Sequence, residues 1–372
     1  MKMYNCVAPC LFGLEKPVAD ELKEMGAENV VAENGRVLFS GGAEIIARAN
    51  IRSRFAERIQ ILVGSFEARS FTELFDGVKA LNFEDYIGAD DAFPVKGSSV
   101  NSALYSIPDC QSIVKKAIVE RLKSVYKIDW FDELGNERKI SFFILKDRVQ
   151  ILIDTSGEGL HKRGYRANSG DAPLKETLAA AMVKLSRIYP DSTLYDPFCG
   201  SGTILIEGAL MARNIAPGLF RSFTAERFDF IPASVWQQER AAARDMIDNS
   251  VPFRAVGFDK DAEMVALTLA NAKKAGVDGC ITASVADVKD FKIATERGVT
   301  VTNPPYGERM LDIDTARDLY KVMGSVFEQK HGYKYTIISP DENFERLFGR
   351  VADKRRKLYN GSIRCQLYFY YK

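Results

Sequence analysis

The stretch Asp196-Pro-Phe-Cys-Gly-Ser-Gly-Thr203 decides how the second half of the chain is read. It closes an apolar run predicted as a strand over Thr193–Phe198 and opens a predicted helix over Ile204–Arg213. Glycines at 200 and 202 let the backbone turn sharply and bring a ligand close to the main chain. No Gly-Lys-Ser/Thr follows, so the turn is not a P-loop. Asp196, Pro197, Gly200, Ser201, Gly202 and Thr203 become candidate cofactor-binding residues.

Outward from this turn, strands are predicted at Arg254–Asp259, Ile281–Ala286, Val299–Asn303 and Tyr333–Ser339, alternating with helical patterns. That alternation is the mark of a doubly wound α/β sheet. A terminal hairpin, Lys357–Tyr359 with Ile363–Tyr371, should turn at Asn360-Gly361 and make the sheet mixed. In such sheets a ligand lies in the crevice outside the carboxyl ends of the strands. The second strand ends on Asp259 and the third on Asp287. A carboxylate is an acceptor-only group, so Asp259 could take both hydroxyls of a ribose and Asp287 an adenine amine. Each acid alone reads equally well as a solvated loop residue; in register with the glycine turn, the two together point to a nucleoside.

Thr302-Asn-Pro-Pro-Tyr-Gly-Glu-Arg309 follows the fourth strand. Consecutive prolines remove two N–H groups and hold the loop extended. Asn303 offers a side-chain carbonyl, Pro304 and Pro305 leave backbone carbonyls without competing donors, and Tyr306 offers an aromatic face. This set can accept from the exocyclic amine of a base that has left its helix and stacked on the ring. Asn303, Pro304, Pro305 and Tyr306 are therefore the candidate catalytic residues, with Asn303 also close to the cofactor. Arg309 is a candidate donor to a guanine O6 or to RNA.

The first half has another character. A small α+β unit is expected over residues 1–65, with strands at Tyr4–Pro9, Val30-Val31 and Arg36–Ser40 and a helix opened by Pro17 and ended by Gly26. A second unit, 66–155, carries predicted strands at Ala92–Lys96, Lys139–Leu145 and Arg148–Asp154. Between them lies a helix capped by Asp109 that buries Ile113, Ala117, Ile118, Leu122 and Val125. Lys116 and Lys123 lie on its other face, which is most simply a solvated face and otherwise a contact for RNA. Residues 156–172 read as a linker rich in glycine, with His161, Lys162, Arg163 and Arg166 placed to touch phosphates. The glycine turn, the strand-end acids and the Asn303–Tyr306 loop all fall in a third unit, 173–372, and the long segment from Asn214 to Pro252 reads as an insertion.

Composition narrows the classes. The 372 residues exceed one comfortable core, and 46% hydrophobic with 27% charged residues suits a globular chain. Six scattered cysteines without a C-x-x-C pair argue for reduced thiols, and two histidines leave little for a metal site. No apolar run is long enough for a membrane span and the start lacks a signal-peptide pattern, so a cytoplasmic protein is expected. A net charge of +1 means that any grip on nucleic acid must be local.

Asp196–Thr203, Gly-Phe-Asp259, Ala-Asp287 and Asn303–Tyr306 together resemble, in order, the motifs of class I S-adenosylmethionine-dependent methyltransferases that modify amines. Leu160-His-Lys-Arg-Gly-Tyr-Arg166 and Ala172-Pro-Leu-Lys-Glu-Thr-Leu-Ala179, with the N-terminal patterns, resemble the THUMP-domain RNA methyltransferases. The resemblance implies a Rossmann-like methyltransferase domain behind ferredoxin-like and THUMP domains, with S-adenosylmethionine as cofactor and no metal. In the family the glycine turn holds the methionine part, and the acids matched by Asp259 and Asp287 bind ribose and adenine. The pattern looks closest to the free-standing form of the bacterial enzymes that methylate guanine N2 in 23S rRNA. A tRNA guanine-N2 enzyme, a DNA adenine-N6 enzyme and a non-catalytic RNA-binding or ribosome-assembly factor are the rivals. The neutral Asn303 and the Tyr306–Arg309 extension favour guanine over adenine, while the intact Asn303–Tyr306 loop disfavours a non-catalytic role.

Overall fold

Runs of β-branched and aromatic residues bounded by Gly and Asn turns build two seven-stranded mixed sheets, one from each half of the chain. The computed structural model describes residues 2–166, 174–189, 191–306 and 313–371. In the first half β1 (Tyr4–Pro9), α1 (Glu15–Glu24), β2 (Glu28–Glu33), β3 (Arg36–Gly41) and α2 (Ala43–Arg52) lead into β4 (Gln60–Glu67). There follow α3 (Phe71–Lys79), β5 (Val95–Val100), α4 (Ile107–Tyr126), β6 (Ile140–Leu145) and β7 (Arg148–Asp154). Their order across the sheet is β2-β3-β1-β4-β7-β6-β5, antiparallel except for the β5–β6 pair.

β4 was not anticipated, and it joins the two small units. It pairs with β1 on one side and along its length with β7 on the other, so the division expected near residue 65 falls inside a shared strand. Two further boundaries differ from expectation. The long helix is capped by Ser106 rather than Asp109, because Pro108 suits a first helical turn; Asp109 sits inside that turn and accepts from Ser106 Oγ at 2.5 Å. β5 starts at Val95 rather than Ala92, since Pro94 has no N–H to give a ladder.

The second half runs α5 (Glu176–Ser186), β8 (Thr193–Asp196), α6 (Thr203–Ala212), α7 (Ala233–Asp245), β9 (Ala255–Asp259), α8 (Ala262–Lys274) and β10 (Ile281–Val285). It continues with β11 (Gly298–Thr302), α9 (Ile313–Val326), β12 (Tyr333–Ser339), α10 (Phe344–Phe348), β13 (Lys354–Asn360) and β14 (Ile363–Tyr370). The order is β10-β9-β8-β11-β12-β14-β13, parallel from β10 to β12, with β14 antiparallel to both neighbours. The order reverses between β8 and β11, and that switch point opens the crevice in which α/β sheets bind ligands. The insertion expected between Asn214 and Pro252 contributes α7, which packs on α2 through a two-pronged Arg48–Glu239 pair at 2.8 and 2.7 Å. Among the described residues no helix is long and apolar enough to cross a membrane.

Candidate cofactor and acceptor site

Every residue of β8 is buried, so the strand delivers Asp196 and the glycine turn to the sheet's edge from a fixed base. Gly200 and Gly202 have φ of +51° and +81°, a region that side chains resist. Gly202 caps α6, and a Cβ there would stand 2.9 Å from Thr268 of α8. A Cβ at Gly200 would meet nothing within 4 Å among the described residues. The turn is braced from α8: Thr268 Oγ1 donates to the Gly200 carbonyl at 2.7 Å and Asn271 Nδ2 to that of Ser201 at 3.0 Å. Pro197 is buried, while Ser201 is half-buried with its hydroxyl 3.3 Å from that of Thr203.

The acids stand at neighbouring strand ends. Asp259 is half-buried and accepts from Gly200 N and Asp261 N, each at 3.0 Å. Asp287 is exposed and caps a short turn through Lys289 N at 3.0 Å. Asp196, 1% exposed, accepts from Thr302 Oγ1 at 2.7 Å and from Phe198 N at 3.1 Å. Burial pushes its carboxyl up to about 7, with those hydrogen bonds working against the rise and the Asp259 charge adding to it. The Asp196–Thr302 bond ties the glycine turn to the strand carrying the next loop.

That loop carries Asn303 half-buried, Pro304 buried, Pro305 half-buried and Tyr306 only 7% exposed. Asn303 Oδ1 is buried and has no hydrogen-bond partner among the described residues, a state that normally costs free energy unless something else fills it. The Tyr306 hydroxyl accepts from Asn360 Nδ2 at 2.7 Å. Stacking on Tyr306 therefore requires a ring that is covered here to be uncovered. Asn360 was legible only as a turn residue; its tie to the loop had no signal in the sequence. Arg309 lies outside the described residues.

The basic connector is put to another use than expected. Arg163 has a side chain 2% exposed, 3.4 Å from Glu207 on α6, and donates to the carbonyls of Leu160 and Arg54. Tyr165 donates its hydroxyl to the same Glu207 at 3.1 Å. Arg166 bonds Thr203 Oγ1 at 2.5 Å and Leu174 O at 2.6 Å, and stands 3.4 Å from Glu176. Both arginines neutralise buried acids behind the glycine turn, and so neither is free for phosphate. His161 Nδ1 lies 3.4 Å from Glu57, whose carboxyl is held down at about 2: burial works to raise it, and His161, Lys175 and Thr177 outweigh that. Lys162 stays exposed beside Glu158. Lys116, exposed, and Lys123, half-buried, lie on α4 and away from the connector, on a helix that packs against α3 and β5. A cleft of about 1030 Å³ opens where the connector meets the insertion, lined by Lys162, Arg166, Phe220, Arg221 and Arg227 among others. The last three were missed, since an insertion of irregular sequence offers no periodicity to read.

Strand order, glycine turn and strand-end acids define a class I S-adenosylmethionine-dependent methyltransferase. The chain belongs to the RMKL-like methyltransferase family: residues 163–368 match that family's methyltransferase domain, 5–60 the RlmL ferredoxin-like domain and 68–154 the THUMP domain. It is 45% identical to the "Putative RNA methyltransferase YpsC" of Bacillus subtilis over 100% of this chain and 97% of that protein. It is 33% identical to the ribosomal RNA large subunit methyltransferase K/L of Shewanella amazonensis over 99% of this chain but 53% of that one. The chain thus spans about half the length of the K/L relatives. Among solved structures it resembles one from Listeria monocytogenes described as a predicted N6-adenine-specific DNA methylase (TM-score 0.94, 46% identity, 100% and 97% of the two chains). It equally resembles SMU.472, "a putative methyltransferase complexed with SAH" (TM-score 0.94, 42% identity, 100% and 98%). The residues present fit the cofactor of the class, with room beside Gly200 among the described residues, an acid at the end of β9 and another after β10, and an unspent acceptor on Asn303.

Proposed function

We propose that this protein methylates the exocyclic N2 amine of a guanine in 23S rRNA, with Asn303–Tyr306 as the acceptor loop. The observation that carries the reading is the buried, partnerless Asn303 Oδ1 one residue from Thr302, which hydrogen-bonds the Asp196 of the cofactor turn. S-adenosylmethionine supplies an electrophilic methyl group on a sulfonium. Asn303 Oδ1 and the Pro304 carbonyl accept one hydrogen bond each from the two amine N–H groups, which concentrates electron density on a nitrogen that is otherwise conjugated with its ring. Positioning then does most of the work, because the methyl donor is already activated. Asp259 holds the ribose and Asp287 the adenine amine of the cofactor, while Pro197, Ser201 and Thr203 shape the turn around it. Pro305 keeps the loop extended, and Tyr306 stacks on the base once its ring is uncovered.

The N-terminal domains supply RNA affinity, in keeping with the THUMP match and the rRNA methyltransferase relatives. Exposed Lys162 and Arg227 at the cleft beside the connector, and Lys116 and Lys123 on α4, are the phosphate contacts in this reading. The protein acts in the cytoplasm. The test is methyl transfer from labelled S-adenosylmethionine to deproteinised 23S rRNA, tRNA and duplex DNA in parallel. Label in 23S rRNA is expected. Label confined to tRNA would move the substrate, label confined to DNA would overturn RNA as the acceptor, and no label in any nucleic acid would return the non-catalytic assembly factor.

A further inference from the structure

A second large cleft, about 1140 Å³, lies between the N-terminal half and the methyltransferase sheet, away from the glycine turn. It is bounded by α1, the chain after α2, the end of α5, the starts of β12 and β13, and the end of β14. Lys334 marks the amino end of β12, whereas the cofactor crevice opens at the carboxyl ends of the parallel strands. A strand of this length spans roughly 20 Å. The two sites are therefore on opposite edges of one sheet, and no single nucleotide can fill both.

The lining is strongly cationic in a chain whose net charge is only +1. Lys16, Arg52, Lys184, Arg187, Lys334 and Lys354 all line it, and none has a carboxylate ion-pair partner among the described residues. Three acids share the lining, and Glu21 is already engaged with Ser53 Oγ and Arg54 N. Two guanidinium nitrogens on this lining, Arg52 Nε and Arg54 Nη1, are buried with no hydrogen-bond partner among the described residues. Buried donors of that kind are a standing demand for an acceptor. Aromatic faces alternate with the cations: Lys334 Nζ sits 4.1 Å from the centroid of Tyr189, a ring 53% exposed, and Tyr371 is 48% exposed. Unpaired cations interleaved with exposed rings are the chemistry that grips a nucleic-acid backbone.

We propose that this cleft binds phosphodiester backbone of the substrate RNA, as a second anchor on the edge of the sheet opposite the reacting base. The inference rests on the RNA-methyltransferase reading above. It makes the substrate an RNA extended enough to pass from one edge of the sheet to the other, and it explains how a chain of nearly zero net charge holds RNA. An acidic protein on the same surface would be a different occupant and would leave RNA binding untouched.

The test uses the full chain and the triple variant Lys184→Glu, Arg187→Glu, Lys334→Glu, none of which touches the cofactor site. Binding of deproteinised 23S rRNA is measured against salt, with S-adenosylmethionine affinity and methylation rate alongside. With the cleft engaged, the variant should lose at least about tenfold in RNA affinity, and its log–log salt slope should flatten by about 2 to 3, near 0.7–0.9 per lost phosphate contact. Cofactor affinity and kcat at saturating RNA should stay unchanged while KM for RNA rises. Unchanged RNA affinity and slope in the variant, with wild-type binding intact, would overturn the anchor and leave the methyltransferase reading standing. A wild type that binds no RNA would overturn both. If the charge reversal fails to fold, seen as lost cofactor binding, the neutral variant Lys184→Gln, Arg187→Gln, Lys334→Gln carries the same comparison with a smaller slope change.

Discussion

The glycine turn and the acceptor loop stand side by side at the carboxyl ends of β8 and β11, yet they are finished to different degrees. Around the turn the polar groups are spent on protein: Gly200 N on Asp259, the Gly200 and Ser201 carbonyls on α8, and Thr203 on Arg166. In the loop Asn303 Oδ1 is buried and unspent. In the proposed mechanism, then, the cofactor side is organised in advance, whereas the acceptor side is completed by the base it receives. The turn can be so firm because the connector braces α6 from behind, through Arg163, Tyr165 and Glu207.

The largest effect is expected where that brace is cut. Arg163→Ala leaves Glu207, whose side chain is fully buried, without its cation and should destabilise the fold by about 3–5 kcal/mol. Chemical denaturation reads this directly, and a loss under 1 kcal/mol would mean that the turn is held by other means. Asn303→Ala comes next: kcat should fall on the order of 10²–10³-fold, about 3–4 kcal/mol, by analogy with removing one preorganised hydrogen-bonding group. Its cofactor affinity should hold, and a variant that instead loses cofactor with kcat intact would erase the contrast between the two loops. Asp259→Ala should do the reverse, weakening cofactor binding by roughly 2–4 kcal/mol through lost charge-assisted bonds. Calorimetry on the folded variant showing unchanged affinity would remove Asp259 from the site.

The smallest effect is one of pH. Asp196 has its carboxyl raised to about 7 in the fold from an ordinary value near 3.8, so the folded state holds a proton that the unfolded chain has released. Its contribution is fully present below about pH 4 and is lost as pH rises through about 7. Between pH 6 and 8 this amounts to roughly 1 kcal/mol of stability. Glu21, buried and raised to about 7 from 4.5, runs in the same direction. Asp196→Asn should flatten the decline of stability over that window by part of its extent, and an unaltered pH profile would place the carboxyl's titration elsewhere.

Much of this architecture was legible in the sequence because its signals are local. The glycine turn, the strand-end acids and the Asn303–Tyr306 loop are short patterns whose meaning needs only the strand before them, and each predicted strand of the second half is present within a few residues. What escaped depends on partners far along the chain. Arg163 and Arg166 read as a basic linker because Glu207 and Glu176, which absorb their charge, are not part of the linker sequence. The Arg48–Glu239 pair that docks α7 spans 191 residues, and the tie from Asn360 to Tyr306 spans 54. β4 was missed because Gly64 and Ser65 interrupt its apolar pattern, where the ladder to β7 shifts register. A charge in a sequence shows that a partner is needed, but not whether that partner is solvent, an acid of the same chain or a ligand.

Nucleoside mass spectrometry of 23S rRNA treated with the purified protein and labelled S-adenosylmethionine identifies the methylated atom itself. A pocket that satisfies the guanine carbonyl and ring N–H rejects adenine by leaving buried groups unpaired. Labelled N2-methylguanosine is expected from the wild type and none from Asn303→Ala. Labelled N6-methyladenosine in its place would contradict the guanine assignment.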